Sequence, residues 1–180
     1  MTANKNAPVK PFHMDVAAIR AAARKIDDGP VTDGYQGNRE EILTMLNEAL
    51  ATELLCVLRY KRHYYTASGR GVESVKAEFL EHATQEAAHA DRIAERIVQL
   101  NGEPDFNPAI LTQRSHAEYD ASSDVMDMIK ADLIAERVAI ESYRQMIERI
   151  GEADPTTRQM LVEIMANEEE HADDLRDLLQ

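Results

Sequence analysis

Two stretches of the chain carry the same pair of metal-binding residue types. Glu86 and His89 stand in QEAAHAD (residues 85–91), and Glu168 and His171 stand in NEEEHAD (residues 167–173). Residues three apart share a face of a helix, so each Glu-x-x-His presents a carboxylate and an imidazole together. Such oxygen and nitrogen donors suit iron, manganese or zinc. The Glu is placed to bridge two metals while the His, about a turn away, caps one. One Glu-x-x-His alone is weak evidence, since acidic helices contain many by chance. The weight lies in the repeat. Glu86 to Glu168 and His89 to His171 are both 82 residues, and Glu53 to Glu136 and Tyr60 to Tyr143 are both 83.

Positioning these residues requires four long helices. Asn38 with Glu41 makes an N-cap and N3 pair that opens the first, which meets no breaker before SGRG at residues 68–71. The second runs from about Val72 to Leu100 and stops at NGEP, with Gly at the end and Pro beyond. The third is expected to start near Ser122 or Ser123 and to end at Gly151. The fourth starts with Asp154 as cap and Pro155 at the first helical position, and runs almost to Gln180. The first pair and the last pair are joined by tight turns and must be antiparallel. The stretch of residues 101–122 between the second and third is long enough to cross the whole bundle, about 40 Å at roughly 1.5 Å per helical residue. The expected fold is therefore an all-α antiparallel four-helix bundle with one long crossover between helices 2 and 3. Residues 38–180 form the bundle and residues 1–37 an N-terminal arm. In the arm, APVKPF reads as extended, while Val16, Ile19, Ala23 and Ile26 mark a short amphipathic helix laid on another surface.

The apolar stripes run through Ile42, Leu46, Ala49, Glu53, Val57, Tyr60 and Tyr64 on the first long helix. On the second they run through Val75, Phe79, His82, Glu86, His89, Ile93, Ile97 and Leu100. The third gives Val125, Ile129, Asp132, Glu136, Ile140, Tyr143, Ile147 and Ile150, and the fourth Leu161, Ile164, Glu168, His171, Leu175 and Leu178. Every stripe contains a Glu near mid-helix, so four carboxylates meet at one level of the core. A buried ionised carboxylate costs several kcal/mol (about that even after relaxation), and no Lys or Arg lies on the stripes. Two divalent cations would balance the four charges. Glu48 and Glu141, each five positions from a stripe Glu, read as solvated. His82, on the stripe but off the repeat, reads as a hydrogen-bonded histidine. Tyr60 and Tyr143, taken singly, are ordinary core residues.

Composition agrees with this reading. The chain has 180 residues, 44% hydrophobic and 29% charged, with few aromatics, no Trp and a net charge of −13. That favours helices, suits cations and argues against nucleic acid as the general partner. A locally basic segment (Lys5, Lys10, Arg20, Arg24, Lys25) stands against Asp15. Cys56 is the sole cysteine, so an intrachain disulfide and a Cys-based cluster are excluded. No run approaches the length of a membrane span, and the N-terminus has no secretory h-region. A cytoplasmic protein is expected.

Residues 39–180 resemble the ferritin-like di-iron carboxylate superfamily, in which two helices each supply a Glu and two each supply Glu-x-x-His. The wording of EAAHADRIAERIVQLNGEP and EEEHADDL is similar to the second and fourth helices of bacterioferritin. The resemblance implies Glu86 and Glu168 as bridging ligands, Glu53 and Glu136 as terminal ligands, and His89 and His171 on one metal each. Tyr60 and Asp132 would orient the ligands. Two iron ions per chain are implied, with manganese or zinc as alternatives. Haem is not expected, because Ala87 occupies the position of the haem-ligating Met. No fifth helix follows the fourth, which together with the arm resembles the Dps-like proteins, shells of about twelve chains with a bacterioferritin-like centre. The cysteine pair that some of those carry cannot be supplied by Cys56 alone.

The function implied is a ferroxidase that oxidises Fe(II) with hydrogen peroxide or dioxygen and stores Fe(III) mineral in a homo-oligomeric shell. The alternatives are a Dps-type DNA-binding protection protein, a di-manganese catalase and a rubrerythrin-like peroxidase. Against the last stands the absence of a cysteine-rich module, and against DNA the strongly acidic chain. A structural bundle holding zinc or nothing is a third possibility.

Overall fold

In the computed structural model, which describes residues 12–180, all regular structure is helical. Lys5, Lys10 and the extended reading of residues 7–11 lie outside the described residues. The helices are α1 (Val16–Ala22), α2 (Arg39–Thr66), α3 (Glu73–Gln99), α4 (Leu111–Arg114), α5 (Val125–Ile150) and α6 (Pro155–Asp177). The four long ones span 28, 27, 26 and 23 residues. They form the expected bundle: α2 packs on α3 and α5 on α6, and the two hairpins meet through α2 with α5 and α3 with α6.

Local chemistry sets the helix ends. The Asn38 side-chain oxygen accepts from the Glu41 amide, and the Asn38 amide group donates to the Glu41 carboxylate. Arg149 of α5 grips that same carboxylate at 2.6 and 3.0 Å. Asp154 caps α6 by accepting from Thr157 N at 2.9 Å, with Pro155 beside it. At the end of α3 it is Asn101, not the glycine, that turns left-handed (φ 59°). Gly102 packs closely there: a Cβ would come within 2.4 Å of Leu43 Cδ2, so the leucine side chain would have to shift. The start of α5 differs from the Ser122 or Ser123 expected. Asp124 is the cap, accepting from Met126 N and Asp127 N. Ser122 is unavailable because its amide and hydroxyl both donate to Asp120.

The crossover is fastened along α2 at successive levels. Asn47 bonds Glu103 O and Asp105 N, Thr52 Oγ accepts from His116 N, Arg59 donates to Glu118 O, and Arg62 donates to Ala121 O and Ser122 O. A long connection thereby behaves as a fifth strip of the bundle surface, and α4 packs on α2 within it.

The core is divided. One apolar cluster contains Ile42, Leu46, Leu50, Ile93, Ile97, Ile150, Leu161 and Ile164. The other contains Leu55, Phe79, Ala83, Met128, Ile129 and Leu175. The polar layer with the stripe carboxylates lies between them. Val31 and Tyr35 pack on the first cluster, and Tyr35 donates to Asp154 at 2.9 Å. The arm helix α1 contacts no other described helix, and its Val16 and Ile19 are exposed, as is Ile26 after it. No described helix is long and apolar enough to cross a membrane.

Candidate metal centre

Each long helix delivers its stripe carboxylate to one level. Glu53 comes from α2, Glu86 and His89 from α3, Glu136 from α5, and Glu168 and His171 from α6; none of the six is more than 3% exposed. They form two interlocked groups. Glu53, Glu86, His89 and Glu168 bring one ligand atom each within 4.8 Å of one another, and so do Glu86, Glu136, Glu168 and His171. Glu86 and Glu168 belong to both.

The atoms divide cleanly. His89 Nδ1 lies 3.4 Å from Glu53 Oε2, 3.6 Å from Glu86 Oε2 and 2.9 Å from Glu168 Oε1. His171 Nδ1 lies 3.6 Å from Glu86 Oε1, 3.9 Å from Glu136 Oε2 and 3.4 Å from Glu168 Oε2. Each shared carboxylate thus turns one oxygen to each histidine. Glu53 Oε2, Glu86 Oε1, Glu136 Oε2, both Glu168 oxygens and both Nδ1 atoms are buried without an aligned hydrogen bond. Buried polar atoms are normally paired. Seven unpaired ones facing a common centre fit two cations with oxygen and nitrogen ligands.

The outward atoms are all held. Tyr143 Oη donates to Glu53 Oε1, and Tyr60 Oη donates to Glu136 Oε1. His171 Nε2 bonds Gln85 Oε1, and His89 Nε2 bonds Asn167 Oδ1 at 3.4 Å. An amide oxygen requires a proton on Nε2, which leaves Nδ1 as the ligand nitrogen.

The ferritin family model, a ferritin-like domain, matches residues 43–180. The chain belongs to the ferritin-like family. Among relatives it is 28% identical over 136 residues to the bacterioferritin of Brucella melitensis, covering 74% of this chain and 79% of that one. It is also 28% identical over 137 residues to the nutrient stress-induced DNA-binding protein of a Synechococcus species, covering 73% and 77%. Among solved structures it is similar to the dodecameric thioferritin, a bacterioferritin-related protein, of Bacteroides fragilis: TM-score 0.77, 32% identity, 80% of this chain and 87% of that one. Dps from Thermosynechococcus elongatus shares the fold at 24% identity and TM-score 0.75.

The electrostatics of the layer follow from its burial and its crowded carboxylates. Burial, then the Glu86 carboxylate, pushes the Glu53 carboxyl well above its ordinary range. Burial and Glu53 raise Glu168; burial also pushes Glu136 up, but His171, Glu168 and Arg59 together outweigh it and lower Glu136. Burial opposes a charged imidazole, yet the carboxylates of Glu168, Glu53 and Glu86 raise His89 to about 12. Glu136, Glu168 and Glu86 do the same for His171, also to about 12. Without cations, protons hold the layer together.

Sequence reasoning placed all six residues at one level and gave Tyr60 a ligand-orienting role, which its bond to Glu136 matches. It missed the reciprocal role of Tyr143, and it missed Gln85 and Asn167 entirely. Their signal was present, since Gln85 and Asn167 stand 82 residues apart, each just before a shared Glu. Asp132 was expected to orient a ligand and instead binds elsewhere. Its carboxylate pairs with Arg59 Nε at 2.7 Å and His63 Nδ1 at 2.8 Å, all three residues fully buried. Arg59, one position from the stripe, was not anticipated; its charge serves Asp132 and lies 3.6 Å from the buried Cys56 Sγ. Glu141 is exposed and Glu48 half-buried, both away from the centre.

Proposed function

We propose that this chain is a ferroxidase of the mini-ferritin kind, binding two Fe(II) as substrate among Glu53, Glu86, His89, Glu136, Glu168 and His171. The observation that carries the reading is the sharing of Glu86 and Glu168 between two otherwise separate ligand groups. Two ions so bridged lose one electron each to one oxidant. Hydrogen peroxide takes two electrons and two protons to give two waters; dioxygen takes the same to give hydrogen peroxide. The residues contribute neutralisation of the cations, a buried layer without bulk water, and fixed ligand orientation through Tyr60, Tyr143, Gln85 and Asn167. Protons displaced from His89, His171 and Glu53 on binding are available to the reduced oxidant. The same donors suit manganese or zinc, so metal content distinguishes a di-manganese catalase. Haem has no part in the reading, as Ala87 offers no sulfur.

The Fe(III) product would be stored as mineral in a closed shell. Twelve chains is the number supported by likeness to the dodecameric Bacteroides fragilis protein. The division into an arm of residues 1–37 and a bundle of residues 38–180 belongs to this proposal, with α1 free to pack on a neighbouring chain. DNA binding, suggested by the name of the Synechococcus relative, sits poorly with a net charge of −13. A gel retardation assay at low salt tests it.

The deciding experiment is an anaerobic Fe(II) titration, oxidised separately by peroxide and by oxygen, with native mass measured on the same sample. Two tight equivalents per chain and rapid oxidation are expected. Saturation at fewer than two tight equivalents, or slow oxidation with both oxidants, overturns the reading.

A further inference from the structure

Beside the six-residue layer, on the side where α3 meets α6, lies a second convergence of donors. His82 Nε2 stands 3.2 Å from Glu78 Oε1 and 3.8 Å from Asp174 Oδ2, and the three ligand atoms all lie within 4.8 Å of one another. Metal–ligand bonds of about 2.0–2.2 Å separate neighbouring ligands by roughly 3–3.5 Å, so one cation fits among them with little movement. His82 is 1% exposed, and its Nε2 has no aligned hydrogen-bond partner.

The tautomer strengthens the case. Tyr60 Oη has a single proton, and it goes to Glu136. The contact at 3.2 Å between His82 Nδ1 and Tyr60 Oη therefore needs a proton on Nδ1. Nε2 is left presenting a lone pair toward two carboxylates. A buried imidazole lone pair facing two carboxylates is an all-acceptor arrangement that a cation would complete. The ring cannot turn away, because it stacks on His171 with centroids 4.1 Å apart.

The other half of the molecule is an internal control. The 82-residue repeat carries Glu78, His82 and Asp174 onto Met160, Ile164 and Arg92. None of these could hold a divalent cation, so the feature is not a by-product of duplicating the main layer.

We propose that Glu78, His82 and Asp174 form a third divalent-cation site, adjoining the six-residue layer through His82, which also converges with Glu136 and His171, and open to solvent through Asp174, whose side chain is 48% exposed. Two carboxylates and one neutral imidazole carry enough charge for one Fe(II), Zn(II) or Mn(II), with water completing its shell. With its exposed ligand, the site binds more weakly than the buried layer.

The test uses Zn(II) as probe on the full-length protein, with anomalous-scattering crystallography for position and competition titration for affinity. A third Zn(II) peak among Glu78, His82 and Asp174 is expected. In the double variant Glu78→Gln/Asp174→Asn that peak should vanish while the peaks in the main layer remain. Affinity at the third site should fall by more than the roughly 10–100-fold that even an outer-shell change costs. Filled main-layer positions with no third peak at saturating Zn(II) overturn this inference alone, as does a third peak that survives the double variant. A third peak with an unfilled main layer supports it and counts only against the ferroxidase reading.

Discussion

The two halves of the bundle repeat their ligands but not the surroundings of those ligands. Glu53 with His89 matches Glu136 with His171, Tyr143 matches Tyr60, and Asn167 matches Gln85. Behind Tyr60 the polar chemistry continues outward through His82, Arg59, Asp132 and His63. Behind Tyr143 it stops. The 82- and 83-residue repeats carry those four positions onto Ile164, Ser142, Ala49 and Met146, and three of them belong to the apolar cluster at that end. Whatever both halves contain is what a symmetric pair of cations demands. Whatever only one half contains serves something else: the fastening of the crossover through Arg59 to Glu118 and His63 to Asp120, and the third cation site.

The symmetric part should break first and furthest. Removing Glu86 or Glu168 takes a ligand from both cations, so Glu86→Ala or Glu168→Ala should abolish rapid Fe(II) oxidation in stopped flow. Glu53→Ala or Glu136→Ala takes a ligand from one cation and should leave one tight equivalent in anaerobic titration. Equal losses in all four variants would show that the shared carboxylates do not bridge.

The asymmetric part is tested by stability. Arg59→Ala leaves Asp132 buried with His63 as its remaining partner, and breaking such a pair costs about 3–5 kcal/mol. The matching position in the other half, Ser142, is half-buried and in no ionic network, so Ser142→Ala should change stability by less than about 0.5 kcal/mol. Urea denaturation of the apo-protein measures both.

These comparisons explain what the sequence could reveal. Period and spacing expose whatever repeats, so the four helices and the six residues at one level were legible from Glu-x-x-His and the stripes alone. The buried Arg59–Asp132–His63 network was not, because Arg59 and His63 look like ordinary polar residues off the stripe, and without them Asp132 has only the metal ligands as an evident partner. The start of α5 was expected near Ser122 or Ser123 and falls slightly later, at Val125, for a similar reason. A serine before a helix signals a cap, and only tertiary structure shows that Asp120 has already engaged Ser122. The arm helix was expected to be laid on a surface, and among the described residues α1 packs on no other helix.

Acidity separates the cation-free layer from the loaded one. His89 and His171 rise to about 12 from an ordinary value of 6.5. Raised folded-state values stabilise the apo-protein fully below about pH 6.5, and this contribution is lost as pH climbs toward 12. Glu53, also raised, acts in the same direction from a lower starting point. Glu136 is lowered and acts oppositely: its contribution is present above its ordinary 4.5 and is lost as pH falls below that. The apo-protein should therefore melt at progressively lower temperature from pH 7 to pH 9. The Zn(II)-loaded protein should not, because cations replace the protons. Calorimetric titration in two buffers of different ionisation enthalpy should show proton release on binding. An apo melting temperature that rises over that pH range would contradict the protonated layer.

The finest test compares the two tyrosines, which are equivalent by symmetry and unequal by surroundings. Tyr143→Phe frees one oxygen of Glu53, and Tyr60→Phe frees one oxygen of Glu136. Either change removes an outer partner of a ligand, a loss of about 10–100-fold in metal affinity. Tyr60 has a second duty, since it also accepts from His82 Nδ1. Its removal leaves that buried donor unpaired, which costs a further 1–3 kcal/mol or so of stability. Tyr60→Phe should consequently lower both metal affinity and apo stability, and Tyr143→Phe mainly affinity. It should also release the tautomer that aims His82 Nε2 at Glu78 and Asp174, weakening Zn(II) at the third site while Tyr143→Phe leaves that site intact. Matching stability losses in the two variants, with third-site affinity unchanged in both, would mean that the polar chain behind Tyr60 is not connected in the way its hydrogen bonds indicate.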